Sequence, residues 1–254
     1  MIENKNSWLI SINQCGHNHS HQHTHRRNQM QTTSKTVAVL GNGMVGVTIA
    51  KGFASLGYQV IFGTRNPDSD KSREALAAVP AARASSYDYA ARAADLVFVA
   101  LPWAGLQEGL ELAGPANLAG KTVIDAVNPL LDFETGSPRL AVGFSDSAGE
   151  LVQRLLPQAR VVKALNSITV GHMIQPKLPD GQPDMFIAGN DKEAKQEVAA
   201  ILKGFGWRSA IDMGDITASR LLEPLAMLWI SYAIQRQHWT HGFSLLGQAT
   251  AQPA

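Results

Sequence analysis

From residue 35 onward, two rhythms alternate along the chain. Short unbroken apolar runs are separated by stretches in which apolar residues recur every third or fourth position. The runs at 36–40, 58–63, 95–102, 121–129, 159–166, 183–189 and 208–214 read as strands. Several are apolar on both alternating faces, so both faces of their sheet must be covered. The periodic stretches at 44–57, 72–79, 87–93, 150–157, 191–206 and 218–234 read as helices. In the first, Val45, Ile49, Phe53 and Leu56 share one side, and Gly57 is a stop signal. Asn190 and Glu193 stand at capping-box spacing for the fifth, and Pro224 is expected to start or kink the apolar part of the last. Strands alternating with helices predict an α/β fold, a Rossmann-type doubly wound parallel sheet. The block at 183–247 is too small for a large substrate domain. It is expected as a small C-terminal α/β lobe that extends the sheet and adds a lid helix, after a nucleotide-binding domain at 35–182.

Residues 1–34 break the pattern. They are polar and hold His17, His19, His21, His23 and His25, five of the eight histidines. Such a segment buries too little to offset its ordering entropy, so a disordered leader is expected, with Met30 as an alternative natural start. A weak zinc or nickel site is the other reading, but metal specificity needs fixed geometry. Cys15 is the only cysteine, which excludes a disulfide framework within the chain and suits a reducing cytoplasm. A formal net charge of +1 gives no general attraction to nucleic acid or membrane. No apolar run reaches the roughly 20 residues of a membrane helix. A cytoplasmic protein is expected, and a homodimer is the expected assembly, although nothing in this picture derives the assembly.

The stretch VAVLGNGMVG places Gly41, Gly43 and Gly46 as G-x-G-x-x-G between a strand and a helix. The spacing alone is weak and the placement is what gives it meaning. Gly41 permits a tight turn, Gly43 lets backbone approach a pyrophosphate, and Gly46 lets helix and strand pack closely. The helix N-terminus offers N–H groups to phosphates. Gly41, Asn42, Gly43, Met44, Val45 and Gly46 are therefore expected contacts of a dinucleotide.

At the end of the second strand, 22 positions after Gly41, stands Gly63, followed by Thr64, Arg65 and Asn66. A carboxylate there would hydrogen-bond the ribose hydroxyl of NAD and repel a 2′-phosphate. A bare glycine and a forked cation favour NADP instead, with Thr64 and Asn66 as neutral donors. A plain turn, Asn66-Pro67-Asp68, is the structural alternative.

In such a sheet, ligands lie beyond the carboxyl ends of the strands. Leu101 and Pro102 are expected to wall the cofactor there, with Ala164 beside it. Trp103 offers a flat apolar rim, and Asn128 and Asn166 offer amides for the nicotinamide or the substrate; packing and turn roles remain open for all three. Acid–base apparatus is sparse. Lys163 could face the site or turn away, His172 is a lone histidine, and Asp125 could cap a turn. Oxidising an alcohol needs a base, whereas hydride transfer to a flavin-like ring needs mainly alignment.

Taken in order, VAVLGNGMVG, GTRNP, LPW, DAVNPL, VVKALNSI and DMFIAG…GFGW resemble the NADP-dependent reductases of the deazaflavin coenzyme F420, and the reductase domain of flavin-using metalloreductases. The resemblance runs from about residue 36 to 234. It implies NADPH at 41–46 and 64–66 and a flat ring near Pro102, Trp103, Asn128 and Asn166. F420, FMN or FAD would be the second ring. Family members often carry a second basic residue where this chain has Asn66, which implies either a weaker hold on the phosphate or help from Lys71. Without a membrane helix, a complete haem-carrying metal reductase is not expected. Two other functions suit the loop: an NADP-dependent reductase of a small imine or hydroxyacid, and an NADPH-sensing module without turnover.

Overall fold

The computed structural model describes residues 34–131 and 138–247. All but the last residue of the expected leader, with its histidines and Cys15, lies outside the described residues. The elements in chain order are β1 (Thr36–Leu40), α1 (Met44–Ser55), β2 (Gln59–Thr64), α2 (Asp70–Ala78), β3 (Arg83–Ser86), α3 (Tyr87–Ala93), β4 (Leu96–Val99), α4 (Leu106–Ala113) and β5 (Thr122–Asp125). There follow β6 (Leu130–Leu131), β7 (Arg139–Leu140), α5 (Ala148–Leu155), β8 (Arg160–Lys163), β9 (Met185–Gly189), α6 (Lys192–Gly204), β10 (Ala210–Asp212) and α7 (Ser219–Arg236).

Eight strands form one sheet in the order β10-β9-β8-β5-β4-β1-β2-β3, and β6 and β7 form a separate antiparallel pair. From β3 to β8 every pairing is parallel, the doubly wound arrangement expected. Alternation along the strands explains how both faces are covered. In β1, Val37 and Val39 join a core with Phe53, Phe62, Phe98 and Phe205, while Ala38 and Leu40 join the opposite core with Leu106 and Leu110. One pairing departs from the all-parallel expectation: β9 runs antiparallel to β8. The β8–β9 connection carries only a short 3-10 turn at 170–172 and no crossover helix, so the chain returns in the opposite sense. α6 then supplies a crossover, and β10 is parallel to β9. The 183–247 block thus continues the same sheet.

Several predicted segments are longer than the strands they contain. Residues 100–102, 126–129 and 164–166 leave the sheet and form its carboxyl rim. Three features lie beyond the expected elements. β3 is a half-exposed edge strand, RASS, with no apolar run. α4 was legible, since Leu106, Leu110 and Ala113 recur at helical spacing and are buried. β6 and β7 are too short to carry a pattern. The capping-box expectation is corrected. Asp191, extended at φ −100° and ψ 121°, is the N-cap of α6 and accepts from the Ala194 amide at 2.7 Å, while Asn190 accepts from the Ile216 amide at 3.0 Å. α7 runs through Pro224 from Ser219 to Arg236.

The chain beyond α7 is tied down by Asp184, which is 3% exposed. Its carboxylate accepts from Arg208 at 2.6 Å, from the Ser209 hydroxyl at 2.6 Å and from the Leu245 amide at 2.8 Å. Burial pushes this carboxyl up, but those donors outweigh burial and hold it below the usual carboxylate range. A depressed native pKa contributes stability above the unfolded value, and that contribution is lost as pH falls through the native value. Asp184→Asn is expected to destabilise the protein by about 2 kcal/mol at neutral pH. The difference from wild type should shrink below about pH 4, where unfolded carboxylates protonate. Urea unfolding at both pH values measures it.

Candidate functional site

The β1–α1 turn is built so that backbone meets backbone. Gly41 has φ +108°, and a Cβ there would stand 2.6 Å from the Ala100 carbonyl oxygen. A Cβ on Gly46 would stand 2.1 Å from the Gly41 oxygen. Neither position tolerates a side chain without moving the turn off the sheet. Gly43 differs: among the described residues outside its chain neighbours, nothing comes nearer its absent Cβ than Lys71 Nζ at 4.0 Å. The surface over Gly43 is open and faces a cation. α1 begins at this residue with no side-chain cap and no acidic residue in its first turn. Its first N–H groups and positive dipole end are left for an anion. Met44 and Val45 belong to that first turn, so their amides are the groups a phosphate would meet.

The loop joins the end of β2 through side chains. Asn42 Nδ2 donates to Ser72 Oγ at 3.0 Å, and Ser72 Oγ donates to the Asn66 carbonyl at 2.9 Å. Ser69 caps α2 by accepting from the Ser72 amide at 3.2 Å. The two rims are thereby held together across a pocket of about 290 Å³ lined by Gly43, Thr64, Arg65, Lys71, Leu101 and Pro102 among others. β2 reaches Thr64, one residue further than the sequence indicated. Gly63 also has a different role from the one inferred. A Cβ there would stand 2.8 Å from Leu40 Cδ2 and 3.2 Å from Tyr87 Cδ1, so its bareness serves packing against α3.

Arg65 is poised differently from an ordinary paired surface cation. Its side chain is 70% exposed and, among the described residues, its one ion-pair partner is Glu108, itself 59% exposed, at 3.5 Å. A contact that long and wet contributes little, so the guanidinium is available. Asn66 accepts from the Asp68 amide through Oδ1 at 3.1 Å, and Thr64 Oγ1 accepts from the Asn66 amide at 3.0 Å. The turn chemistry is real, yet among the described residues it gives the Thr64 hydroxyl proton and Asn66 Nδ2 no acceptor. Tyr87, absent from the sequence reading, also lines this pocket. Burial raises its phenol pKa, against the pull of Arg65.

At the other end, Leu101 is buried in the pocket wall and Pro102 leads a 3-10 turn, Trp103–Gly105. Trp103 is half-buried against the core, the packing role. Ala164 is fully buried, and its amide donates to the Asp125 carbonyl at 3.0 Å. It lies beneath the rim and does not line the pocket. Asn128 and Asn166 are brought together: Asn128 Nδ2 donates to the Asn166 carbonyl at 2.7 Å, and Asn166 Nδ2 donates to Asn128 Oδ1 at 3.1 Å and to the Leu222 carbonyl at 2.8 Å. They too lie outside the 290 Å³ pocket. Leu165, just before Asn166, adopts φ +60°, an uncommon left-handed conformation.

Lys163 turns away from solvent altogether. Its ammonium is buried against Asp125 at 2.7 Å and Glu223 at 2.9 Å. Burial lowers its pKa, but the two carboxylates more than offset that, and it stays charged. Asp125 caps a turn as supposed, accepting from the Val127 amide at 2.8 Å. Glu223 was not anticipated; it accepts from the Ala148 and Gly149 amides, each at 3.0 Å, at the start of α5. A glutamate inside an apolar helix run was the available signal. His172 sits half-buried in the 170–172 turn.

Comparison with known proteins agrees with this geometry. The family described as NADP oxidoreductase, coenzyme F420-dependent, matches residues 36–129. A crystal structure from Arthrobacter sp. FB24, assigned as an F420-dependent NADP reductase, superposes with a TM-score of 0.78 at 37% identity, covering 84% of this chain and 99% of that one. Metalloreductase STEAP3 of Rattus norvegicus is 30% identical over 194 residues, 76% of this chain and 37% of its own length. F420-dependent NADP reductase of Methanocaldococcus jannaschii is 29% identical over 148 residues, 58% of this chain and 65% of its own. The chain thus spans about a third of the metalloreductase and about two thirds of the archaeal enzyme. Among the described residues, no helix is long and apolar enough to cross a membrane. A glycine-rich β1–α1 turn with an open helix start, an exposed arginine at the end of β2 and a structural match at 37% identity over 84% of this chain agree, and the chain belongs to the coenzyme F420-dependent NADP oxidoreductase family, a family of NADP-dependent oxidoreductases.

Proposed function

We propose that this chain moves a hydride between NADP(H) and a flavin-like ring, with coenzyme F420 first and FMN or FAD as rings of the same chemistry. The observation that carries the reading is Arg65: an exposed guanidinium with one weak partner among the described residues, beside the Thr64 hydroxyl, across the pocket from the uncapped start of α1. That arrangement suits a dinucleotide with an extra phosphate on its adenosine ribose, held by a charge-assisted fork. Lys71 adds a second cation over Gly43. Bound there, NADPH supplies the hydride.

The chain's own residues bind and align. The amides of 43–46 hold the pyrophosphate, Arg65 and Thr64 the 2′-phosphate, and Leu101 and Pro102 exclude water from one side. The asparagine pair marks the nicotinamide end. No titratable side chain is required there, because a flavin-like ring accepts the electrons itself and rate depends on alignment. An exposed apolar stripe on α7, with Leu221 64%, Leu228 60% and Tyr232 48% exposed, supports a homodimer as the assembly that covers it.

Following the NADPH absorbance with F420, FMN and a small cyclic imine in separate assays tests the reading. Oxidation with either ring is expected; oxidation with the imine alone, or binding without turnover, contradicts it. Arg65→Ala is expected to weaken NADPH by about 2 kcal/mol, the scale of a charge-assisted pair, and to leave NADH nearly unchanged. Fluorescence titration of the variant with each cofactor checks it, and an equal loss for both defeats the assignment.

A further inference from the structure

Lys163 closes β8 with an ammonium that has no access to solvent. Nζ donates to the Val127 carbonyl at 2.6 Å and pairs with Asp125 at 2.7 Å and Glu223 at 2.9 Å. Burying three charges costs desolvation, and well-packed apolar side chains would hold these elements at least as firmly. Stability alone therefore does not account for the cluster. Its partners suggest what does. Val127 directly precedes Asn128. Glu223 directly follows Leu222, whose carbonyl receives the Asn166 amide. The ammonium thus grips the neighbour of each group that Asn166 Nδ2 contacts.

The orientation of both amides is fixed, because each Nδ2 faces a backbone carbonyl that can only accept. One acceptor is left over. Asn166 Oδ1 is buried and has no hydrogen-bond partner among the described residues. An unpaired buried acceptor is costly, and a ligand N–H is the group that would satisfy it. The nicotinamide carboxamide and a reduced flavin-like ring both carry such an N–H.

We propose that Lys163 is a positioning residue for the nicotinamide end of the site: by clamping Val127 and Glu223 it sets the Asn128–Asn166 pair, and so aims Asn166 Oδ1 at a ligand N–H. The inference rests on the hydride-transfer reading above. Lys163 touches no ligand; it acts through the tail of β5 and the first turns of α7. The geometry also separates two functions along one cofactor. Arg65 and the phosphate loop govern how tightly it binds, and Lys163 governs how well its reactive ring is held.

The test is a charge-balanced double variant, Asp125→Asn with Lys163→Met, which keeps an acceptor for the Val127 amide. Glu223→Gln is the second variant should the first not fold, and it loosens the same clamp. Glu150→Gln is the control. It weakens the Glu150–Arg220 pair, which also joins α5 to α7 at 2.8 Å, without touching the asparagine pair. Two readouts are taken: the NADPH dissociation constant, and the nicotinamide fluorescence of bound NADPH, which rises when the ring is immobilised. In the clamp variants the dissociation constant is expected to stay within about threefold of wild type. Bound-state fluorescence should fall toward that of free NADPH, and turnover with F420 or FMN should drop about tenfold or more. The control should match wild type in all three. Wild-type fluorescence and turnover in a folded clamp variant would overturn the inference, as would equal losses in the control. Failure of wild type to bind NADPH would instead refute the hydride-transfer reading, and this inference with it.

Discussion

A single backbone approach governs the rest of the molecule. Gly46 of α1 rides so close to Gly41 that a Cβ would overlap the Gly41 oxygen at 2.1 Å. That contact fixes where α1 begins, and with it the uncapped N–H groups over the open face of Gly43. The Gly41 amide in turn donates to the Gly63 carbonyl at 2.9 Å, which locks the loop to the end of β2. Arg65 is therefore presented across the pocket from the helix N-terminus, at the end of a strand that this backbone bond and the Asn42–Ser72–Asn66 side-chain bonds hold to the loop. A preorganised cradle of this kind loses little ordering entropy when a phosphate arrives.

The charged groups fall into two classes with opposite physics. Arg65 and Lys71 are solvated, weakly partnered and available to a ligand. Lys163, Asp125 and Glu223 are buried and committed to one another and to backbone. Low local dielectric makes the second group rigid, since breaking any member would leave an uncompensated charge. Exposed cations suit recognition of an anion that comes and goes. A buried cluster suits holding two strand tails and a helix in one register. The same division separates cofactor affinity from ring alignment in the account above.

Much of this was legible in the sequence. β1, α1 and the glycine spacing could be read because apolar periodicity and turn chemistry are local. Arg65 was legible by its distance from Gly41. The role of Gly63 was not: its neighbours Leu40, Tyr87 and Ala90 come from β1 and α3, and a glycine does not announce which contact it permits. The antiparallel β9 was hidden because strand direction depends on what the connection does in space. Asn128 and Asn166 were found as types at strand ends, but their mutual bonds and the role of Leu222 depend on contacts as far as 56 residues apart in sequence. Lys163 was ambiguous for the same reason, since a strand residue's face is set by register. The α4 spacing of Leu106, Leu110 and Ala113 is as local a signal as that of α1.

The central claim is that the end of β2 recognises a phosphate on the adenosine ribose. Calorimetric titration of the wild-type chain with NADPH and with NADH, at one ionic strength, tests it most directly. Tighter binding of NADPH by about tenfold or more, with the advantage shrinking as salt is raised, is the expected result for a guanidinium meeting a phosphate. Equal affinities, or a preference for NADH, would contradict the account.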